Sequence, residues 1–233
     1  MLLKADGISK RFGRNLALQD ASFSIRTNEI VGLIGPNGSG KTTLFECVAG
    51  LIPVDYGTVE FDGLALSPSH RKQKLFYLPD GIRPWPDQPV GWLLSFFEAL
   101  YDRSKGAGAA LASSLKLEGF LKSRVGSLSK GELKRTLLAL GLLTPHRLLL
   151  LDEPFDGLDF RQTRDVMELL RTVPLQGRTL FLSIHQLTDA SRVCDRLVLL
   201  SKGRVVGEGT VPELQAKAGL AEGGLEEIFL ALT

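Results

Sequence analysis

The feature that most constrains this sequence is a glycine-rich loop between an apolar strand pattern and an apolar helix pattern. The run EIVGLI at residues 29–34 predicts a buried strand, and GPNGSGKT at residues 35–42 fits GxxxxGK followed by Ser or Thr, the pattern of a phosphate-binding loop. Glycines let backbone N–H groups curl around phosphates, and the helix that follows adds the positive end of its dipole. Because pattern and context agree, we favour a nucleotide site over a glycine-rich turn with a surface lysine.

Individual residues of this loop have distinct expected roles. Lys41 is expected to bridge the β- and γ-phosphate oxygens, which makes it a catalytic as well as a binding candidate, and Thr42 is expected to supply an oxygen ligand to Mg²⁺. The candidate nucleotide-binding residues are Gly35, Pro36, Asn37, Gly38, Ser39, Gly40, Lys41, Thr42 and Thr43.

The stretch LLLLDEP at residues 148–154 predicts a second part of the same site. An apolar strand here delivers Asp152 to its carboxyl end, where open α/β sheets place their ligands. Asp152 is expected to hold magnesium through a water, and Glu153 to accept a proton from the attacking water. Such carboxylates can also cap a helix, and Asp156 or Asp159 fits that role for the next helix. We favour catalysis for the first two because the phosphate loop needs a metal ligand and a base.

His185 ends the predicted strand RTLFLSIH. A lone histidine after an apolar strand is usually structural. One more parallel strand beyond the acidic strand, however, would bring this side chain beside the γ-phosphate, so we treat His185 as a catalytic candidate. His70 and His146 lack such a setting and are interpreted as structural.

The order of predicted elements indicates an α/β fold. Strand patterns occupy the first third, and helices alternate with strands after residue 129, which favours parallel pairing through βαβ units. The middle of the chain predicts a loop, RPWPDQP, followed by two segments with helical spacing, VGWLLSFFEALY and GAALASSLKLEGFL. The other predicted elements are strands in LALQDASFSI and TVEFDG, helices at 129–143, in RQTRDVMELLRTV and in LEEIFLAL, and a hairpin around 201–203.

The stretch LSKGELKR at residues 128–135 predicts a helix start. Ser129 fits the N-cap position, and Glu132 completes a capping box three residues later. A capped helix N-terminus is also a site for anions. A second anion site that lacks a phosphate loop of its own suggests a nucleotide shared between two sites.

The motifs GPNGSGKTT, LSKGELKR, LLLLDEP, DGLD and SIH, in this order, resemble those of the nucleotide-binding subunits of ATP-binding-cassette (ABC) transporters. The resemblance covers essentially the whole chain, and several motifs in fixed order are more specific than any one. It implies a P-loop NTPase core with a mixed sheet, an N-terminal antiparallel β subdomain and an inserted helical subdomain. The whole chain, 1–233, would be one ABC ATPase domain. Residues 1–83 and 144–233 would form the RecA-like core with its β subdomain, and residues 84–143 the helical signature subdomain.

The resemblance also implies cofactors and partners. ATP and Mg²⁺ are the expected cofactors, and two cassettes are expected to pair head-to-tail around two ATP molecules. Ser129 and the backbone of Gly131 would then reach the γ-phosphate held by the other cassette. The partner cassette would be a second copy or a homologue. ATP hydrolysis would open and close the dimer, and this motion would be passed to integral-membrane permease subunits.

Further roles are implied position by position. Phe12 matches the aromatic residue that stacks on adenine, with a buried core position as the alternative. Glu153 matches the general base, His185 the switch histidine, and Asp159 the loop that crosses to the partner. Asp80 stands where the family has its Q-loop glutamine, and a carboxylate there can approach a magnesium-bound water.

Two departures from the family pattern bear on the branch. The signature has Lys130 in place of the first glycine of LSGGQ, and Glu132 in place of its glutamine. Gln88, in the proline-rich loop, is a weaker candidate than Asp80 for the Q-loop position. LSKG together with an acidic residue after YLP resembles one branch of ABC exporters, so export is the expected direction.

The coupling surface for the permease is expected between Asp80 and Tyr101. Trp85, flanked by two prolines, is the best contact candidate. The aromatics of the following helix, Trp92, Phe96 and Phe97, are expected to form the helical subdomain's own core.

Charge and hydropathy restrict the possible locations and partners. The formal net charge is only +2, which gives no bulk electrostatic reason to expect nucleic acid or an anionic membrane as partner. Charges occur too early for a signal peptide, and no window approaches the roughly 18 apolar residues of a membrane span. The two well-separated cysteines, Cys47 and Cys194, are expected to be reduced, which favours the cytosol. Together with the permease partner that the resemblance implies, this predicts a peripheral location on the cytoplasmic face of the cell membrane.

Two other functions remain as alternatives. One is a soluble ABC ATPase that acts on DNA or ribosomes, although such proteins usually carry a long coiled-coil insertion or two cassettes, and this sequence has neither. The other is a P-loop kinase, against which the DEP strand and the signature argue.

Overall fold

The computed structural model describes residues 1–233 and contains two β-sheets with helices packed around them. The strands are Leu3–Phe12 (β1), Asn15–Ile25 (β2), Ile30–Ile34 (β3), Tyr56–Phe61 (β4), Leu64–Ala65 (β5), Leu75–Leu78 (β6), Leu148–Asp152 (β7), Thr179–Ile184 (β8), Arg196–Ser201 (β9) and Arg204–Gly209 (β10). The α-helices are Lys41–Ala49 (α1), Pro68–Arg71 (α2), Val90–Leu100 (α3), Ala107–Ser114 (α4), Lys130–Leu143 (α5), Phe160–Thr172 (α6), Leu187–Val193 (α7), Val211–Ala218 (α8) and Leu225–Leu232 (α9).

The larger sheet has six strands in the order β10-β9-β3-β8-β7-β6. Strands β9, β3, β8, β7 and β6 run parallel, and β10 joins the edge antiparallel through a hairpin. The central strands β3, β7 and β8 are buried along their whole length, as expected for a parallel sheet covered on both faces. The mixed sheet and the hairpin predicted from the sequence are therefore confirmed.

The smaller sheet is antiparallel, in the order β2-β1-β4-β5. Strand β1, which lies between β2 and β4, was not predicted, because LKADGISKRF interrupts the alternation of apolar residues with Gly7 and several charges. The pairing of β1 with β2 contains register shifts around Ile8 and Lys10, so the apolar side chains do not follow a strict period of two. The prediction of an N-terminal antiparallel β-sheet is nevertheless confirmed.

Helices α3, α4 and α5 lie within residues 84–143 and pack onto the larger sheet. Leu93 of α3, Leu137 of α5 and Leu149 of β7 belong to one continuous buried cluster. These helices therefore share an apolar core with the sheet. The boundaries at 84 and 143 stay a prediction.

The prediction of one helical segment in GAALASSLKLEGFL is wrong in its second half. Helix α4 ends at Ser114, and Lys116 has a φ of +55°, a left-handed conformation that cannot continue an α-helix. A short 3₁₀ turn at Glu118–Phe120 follows. Leu115 and Leu117, on either side of Lys116, are both buried. The apolar spacing that suggested a helix therefore comes from side chains buried at a sharp turn.

The expectation that all three α3 aromatics form a core is confirmed only for Phe97, which is 8% exposed. Trp92 and Phe96 are 47% and 39% exposed. Their rings stack, with centroids 5.2 Å apart. The ring of Trp85 lies against that of Phe96, with 6.4 Å between the ring centroids. We call Trp85, Trp92 and Phe96 the aromatic patch. It is a contiguous apolar surface on one face of the chain.

No helix of this chain combines the length and the apolar character that crossing a membrane requires. Both cysteines are free thiols. Burial raises the pKa of the Cys47 thiol to about 11, so this group stays protonated and behaves as a small apolar side chain.

Candidate active site

Four loops meet where parallel strands β3, β8, β7 and β6 end. The glycine-rich loop follows β3, and His185 follows β8. Asp152 and Glu153 lie at the end of β7, and Asp80 follows β6. Because the strands are neighbours in this order, residues from distant parts of the sequence gather at one edge of the sheet, as the rule for open α/β sheets predicts.

Lys41 lies inside the glycine-rich loop. Its Nζ donates to the carbonyl oxygens of Gly35, at 2.7 Å, and Pro36, at 3.3 Å. Burial lowers the pKa of Lys41, and the charges of Glu153 and Asp152 partly offset this effect. The loop therefore holds an ammonium group whose only hydrogen-bond partners are neutral carbonyls, which an anion would stabilise.

The loop also contains a polar atom without a partner. The Ser39 hydroxyl is buried and makes no hydrogen bond, although unpaired buried polar groups are rare and costly. A hydroxyl that can donate, an ammonium group and the N-terminus of α1 together form a donor set for phosphate oxygens. The residues present therefore fit the triphosphate of a nucleotide.

Asp152 is buried and accepts hydrogen bonds from three hydroxyl groups. Thr42 Oγ1 lies 3.1 Å and Tyr77 OH lies 3.4 Å from Oδ2, and Ser183 donates to Oδ1. Burial and the charge of Asp152 raise the pKa of Tyr77, so its phenol stays a donor. The link between Thr42 and Asp152 brings a hydroxyl and a carboxylate together, and oxygen ligands of this kind suit Mg²⁺.

Glu153 has different surroundings from its neighbour because the backbone turns between them. Its φ is +48°, a left-handed conformation that costs a non-glycine residue about 1–3 kcal/mol. Its N–H donates to Ser183 Oγ at 2.9 Å, which helps to hold the turn. The Glu153 carboxylate then faces His185, with Oε2 3.7 Å from Nδ1. The structure thus brings the predicted base and the predicted switch histidine together.

A cleft of about 500 Å³ extends from the glycine-rich loop towards the smaller sheet. Phe12 lies on its wall and is 48% exposed, which rules out the alternative of a core position. The ammonium group of Lys10 lies 5.5 Å from the centre of the ring. An exposed ring beside a phosphate-binding loop is suitable for stacking on a nucleotide base. The cleft is also lined by residues that were not predicted: Asn15, Leu16, Ala17, Gln19, Lys202 and Gly203.

Ser129 and Asp159 are both N-caps with complete capping boxes. The Ser129 hydroxyl accepts from the N–H of Glu132, and the Asp159 carboxylate accepts from the N–H of Gln162 at 2.8 Å. These boxes confirm the capping predictions. The signature residues Ser129 and Gly131 do not line the cleft that holds Lys41, so their binding role stays a prediction.

Asp80 forms an ion pair with Lys134 of α5, with 2.6 Å between Oδ1 and Nζ. Because the Asp80 carboxylate is paired with a lysine here, its approach to magnesium stays a prediction. One carboxylate oxygen each from Asp80, Glu153 and Asp156 lies within 4.8 Å of the others. The hydrogen bond from Lys130 lowers the pKa of Asp156.

Three residues that hold this site together were not identified from the sequence: Tyr77, Ser183 and Lys134. One signal was available for Ser183, because a serine inside the apolar run RTLFLSIH is unusual in a buried strand. His146 contacts the backbone of Lys72, and His70 bonds Ser67, which agrees with the structural interpretation of both histidines.

Comparison with known proteins identifies the family to which the chain belongs. A family model described as "ABC transporter" matches residues 18–156. The Nod factor export ATP-binding protein I of Burkholderia orbicola (strain AU 1054) is 36% identical over 209 residues, covering 87% of this chain and 68% of the relative. An uncharacterised ABC transporter ATP-binding protein of Methanocaldococcus jannaschii is 32% identical over 94% of this chain and 82% of its own length. The solved structure of an ATP-binding subunit of an ABC transporter superposes with a TM-score of 0.90 at 28% identity, covering 100% of this chain and 99% of that one.

Fold, site and relatives together define a P-loop ATPase. The chain belongs to the ABC transporter family, as an ATP-binding subunit that hydrolyses ATP.

Proposed function

We propose that this chain pairs head-to-tail with a second cassette around two ATP molecules and drives a separate membrane permease, in the direction of export. The observation that carries the proposal is the meeting of Thr42 and Asp152, 3.1 Å apart, beside Glu153. This arrangement supports the assignment of a phosphate loop, a magnesium site and a base to one edge of the sheet.

The reaction assigned to this edge is attack of water on the γ-phosphate, which breaks the bond to the β,γ-bridging oxygen and releases ADP and inorganic phosphate. Thr42 and Asp152 would hold a magnesium ion, which would neutralise charge on the phosphate oxygens. Glu153 takes the proton from the attacking water. His185 lies 3.7 Å from that carboxylate and orients it or contacts the γ-phosphate. Lys41 and Ser39 bind the phosphates, and Phe12 stacks on the base.

Pairing of two cassettes is supported by the place of the signature. The N-terminus of α5, with Ser129 at its cap, is outside the cleft that contains Lys41 and Thr42. A capped helix start still offers free N–H groups to an anion. A nucleotide contributed by a second cassette, in the simplest case a second copy of this chain, would meet these groups.

The permease is proposed to bind the aromatic patch, at the peripheral position on the cytoplasmic face of the membrane expected from the sequence. Three large rings are exposed there, and exposed apolar patches of this kind mark interaction sites. Aromatic anchors are typical of the energetic centres of protein interfaces. Export is supported by the LSKG signature, by Asp80, and by the relative named for Nod factor export.

The experiment is recovery of the tagged chain from detergent-solubilised native membranes, followed by mass spectrometry. We expect a stoichiometric companion with several apolar spans. A matched sample carrying Trp92→Ser and Phe96→Ser should lose that companion. Recovery of the chain with ribosomal proteins or nucleic acid, and with no membrane protein, would contradict the proposal.

A further inference from the structure

Lys130 replaces the first glycine of the LSGGQ signature, and its side chain makes two contacts within its own chain. The ammonium group forms an ion pair with Asp156, in the turn DGLD at residues 156–159. The aliphatic part lies over Gly157, where an added Cβ would come 2.6 Å from Cγ of Lys130. Gly157 has a φ of +81° and leaves the space that this lysine occupies.

Gly131 brings the start of α5 close to the same turn. A Cβ at this position would lie 2.9 Å from the carbonyl oxygen of Gly157 and 2.9 Å from Oε1 of Gln162. The signature segment, residues 128–132, and the DGLD turn are therefore in direct contact within one chain.

Lys134, one helical turn further along α5, makes a second ion pair with a neighbouring loop. It lies four residues after Lys130, on the same face of α5. Its side chain is 7% exposed, and its Nζ lies 2.6 Å from Oδ1 of Asp80. An ammonium group as buried as this one needs a counter-charge, and Asp80 supplies it.

The two lysines face three carboxylates that lie close together. Asp80, Glu153 and Asp156 each place an oxygen within 4.8 Å of the others, so their charges repel one another. Two ammonium groups from one face of α5 offset this repulsion. Helix α5 therefore stabilises the loops after β6 and β7 as well as packing against them.

We propose that Lys130 and Lys134 are positioning residues: Lys130 holds the signature segment against the DGLD turn, and Lys134 holds α5 against the loop after β6, so that these segments form one preformed surface for the partner cassette. The inference rests on the head-to-tail pairing proposed above and gives a reason for the lysine in LSKG. A preformed surface costs less ordering on association than two independent segments.

A direct role for Lys130 on a phosphate of the partner's nucleotide makes a different prediction. If Asp156 holds Lys130, exchanging the two charges preserves the pair. If Lys130 binds phosphate, the same exchange places a carboxylate beside the phosphate and prevents association.

The test measures ATP-dependent association of Glu153→Gln chains by analytical ultracentrifugation, with ATP affinity of the dilute monomer as a second readout. In this background Lys130→Asp and Asp156→Lys each bring like charges together. We expect each to weaken association roughly tenfold, as coupling energies between contacting groups imply. The double exchange should restore most of the loss. Lys134→Met should weaken association and Lys134→Arg should not, while ATP affinity of the monomer stays unchanged in all variants.

A matched control is Lys116→Met, which removes the ion pair with Asp165 of α6 and touches none of the three carboxylates. It should associate like its parent. The inference is overturned if the double exchange associates no better than the single variants, or if Lys130→Asp associates normally. A Glu153→Gln parent that fails to associate with ATP would instead overturn the proposed pairing itself.

Discussion

Asp152 and Glu153 are neighbours in sequence but have different chemical surroundings. Three hydroxyl groups donate to the buried Asp152, which suits a fixed metal ligand. The backbone of Glu153 is left-handed, and its carboxylate faces His185 instead of these hydroxyl groups. The motif LLLLDEP was sufficient to predict both carboxylates. It could not reveal the hydroxyl groups, because Tyr77 and Ser183 come from strands far away in sequence.

Glu153→Gln tests the role of the base. We expect ATP to bind normally and hydrolysis to fall by roughly 10²–10⁴-fold, the usual contribution of a positioned general base. Phosphate release and equilibrium nucleotide binding are the two measurements. Glu168→Gln, on the exposed face of α6, is the control and should hydrolyse normally. Normal turnover in Glu153→Gln would show that Glu153 is not the general base.

Ser183→Ala tests the hydroxyl between the two carboxylates. The change removes a donor to the buried Asp152 and the acceptor for the N–H of Glu153. We expect the free energy of unfolding to fall by about 1–3 kcal/mol, because a buried polar group loses its partner. Urea denaturation measures this change.

The matched control is Ser191→Ala, which removes an exposed hydroxyl that donates a hydrogen bond to the carbonyl of Thr188. The expected change there is within about 0.5 kcal/mol. Equal losses in the two variants would show that Ser183 has no special role.

Helix α3 illustrates what apolar spacing predicts at the scale of an element. The spacing in VGWLLSFFEALY was sufficient to predict the helix, which the structure places at Val90–Leu100. It did not reveal which aromatics are buried, because apolar residues cover most of the helix surface. Phe97 packs into the core while Phe96, one residue earlier, remains exposed. Only the placement of α4 and α5 decides between them.

The two neighbouring phenylalanines give a prediction with an internal control. Phe97→Ala should lower the free energy of unfolding by about 3–5 kcal/mol, as for other truncations of buried aromatics. Phe96→Ala should change it by about 0.5 kcal/mol or less, yet reduce recovery of the permease from membranes. Chemical denaturation and the membrane pull-down measure the two effects. Loss of stability in Phe96→Ala without loss of the permease would assign this ring to the core instead.

At the scale of the whole molecule, strand order creates the site. The alternation of helices and strands predicted a parallel sheet, and the motifs indicated which strand ends carry chemistry. The order β3-β8-β7-β6, which sets Asp80 beside Glu153, depends on long-range pairing. Local periodicity contains no information about such pairing. The same limit explains why the ion pair between Asp80 and Lys134 was not predicted.

The central claim is that the signature segment completes a nucleotide site in another chain. Ser129→Arg, compared with the unchanged chain, tests this most directly through ATP affinity of the dilute monomer and hydrolysis at high protein concentration. The account predicts unchanged affinity in the monomer and loss of hydrolysis, because the arginine obstructs a nucleotide held by the partner. Weakened ATP binding by the monomer would contradict the account, since the signature would then belong to the site in its own chain.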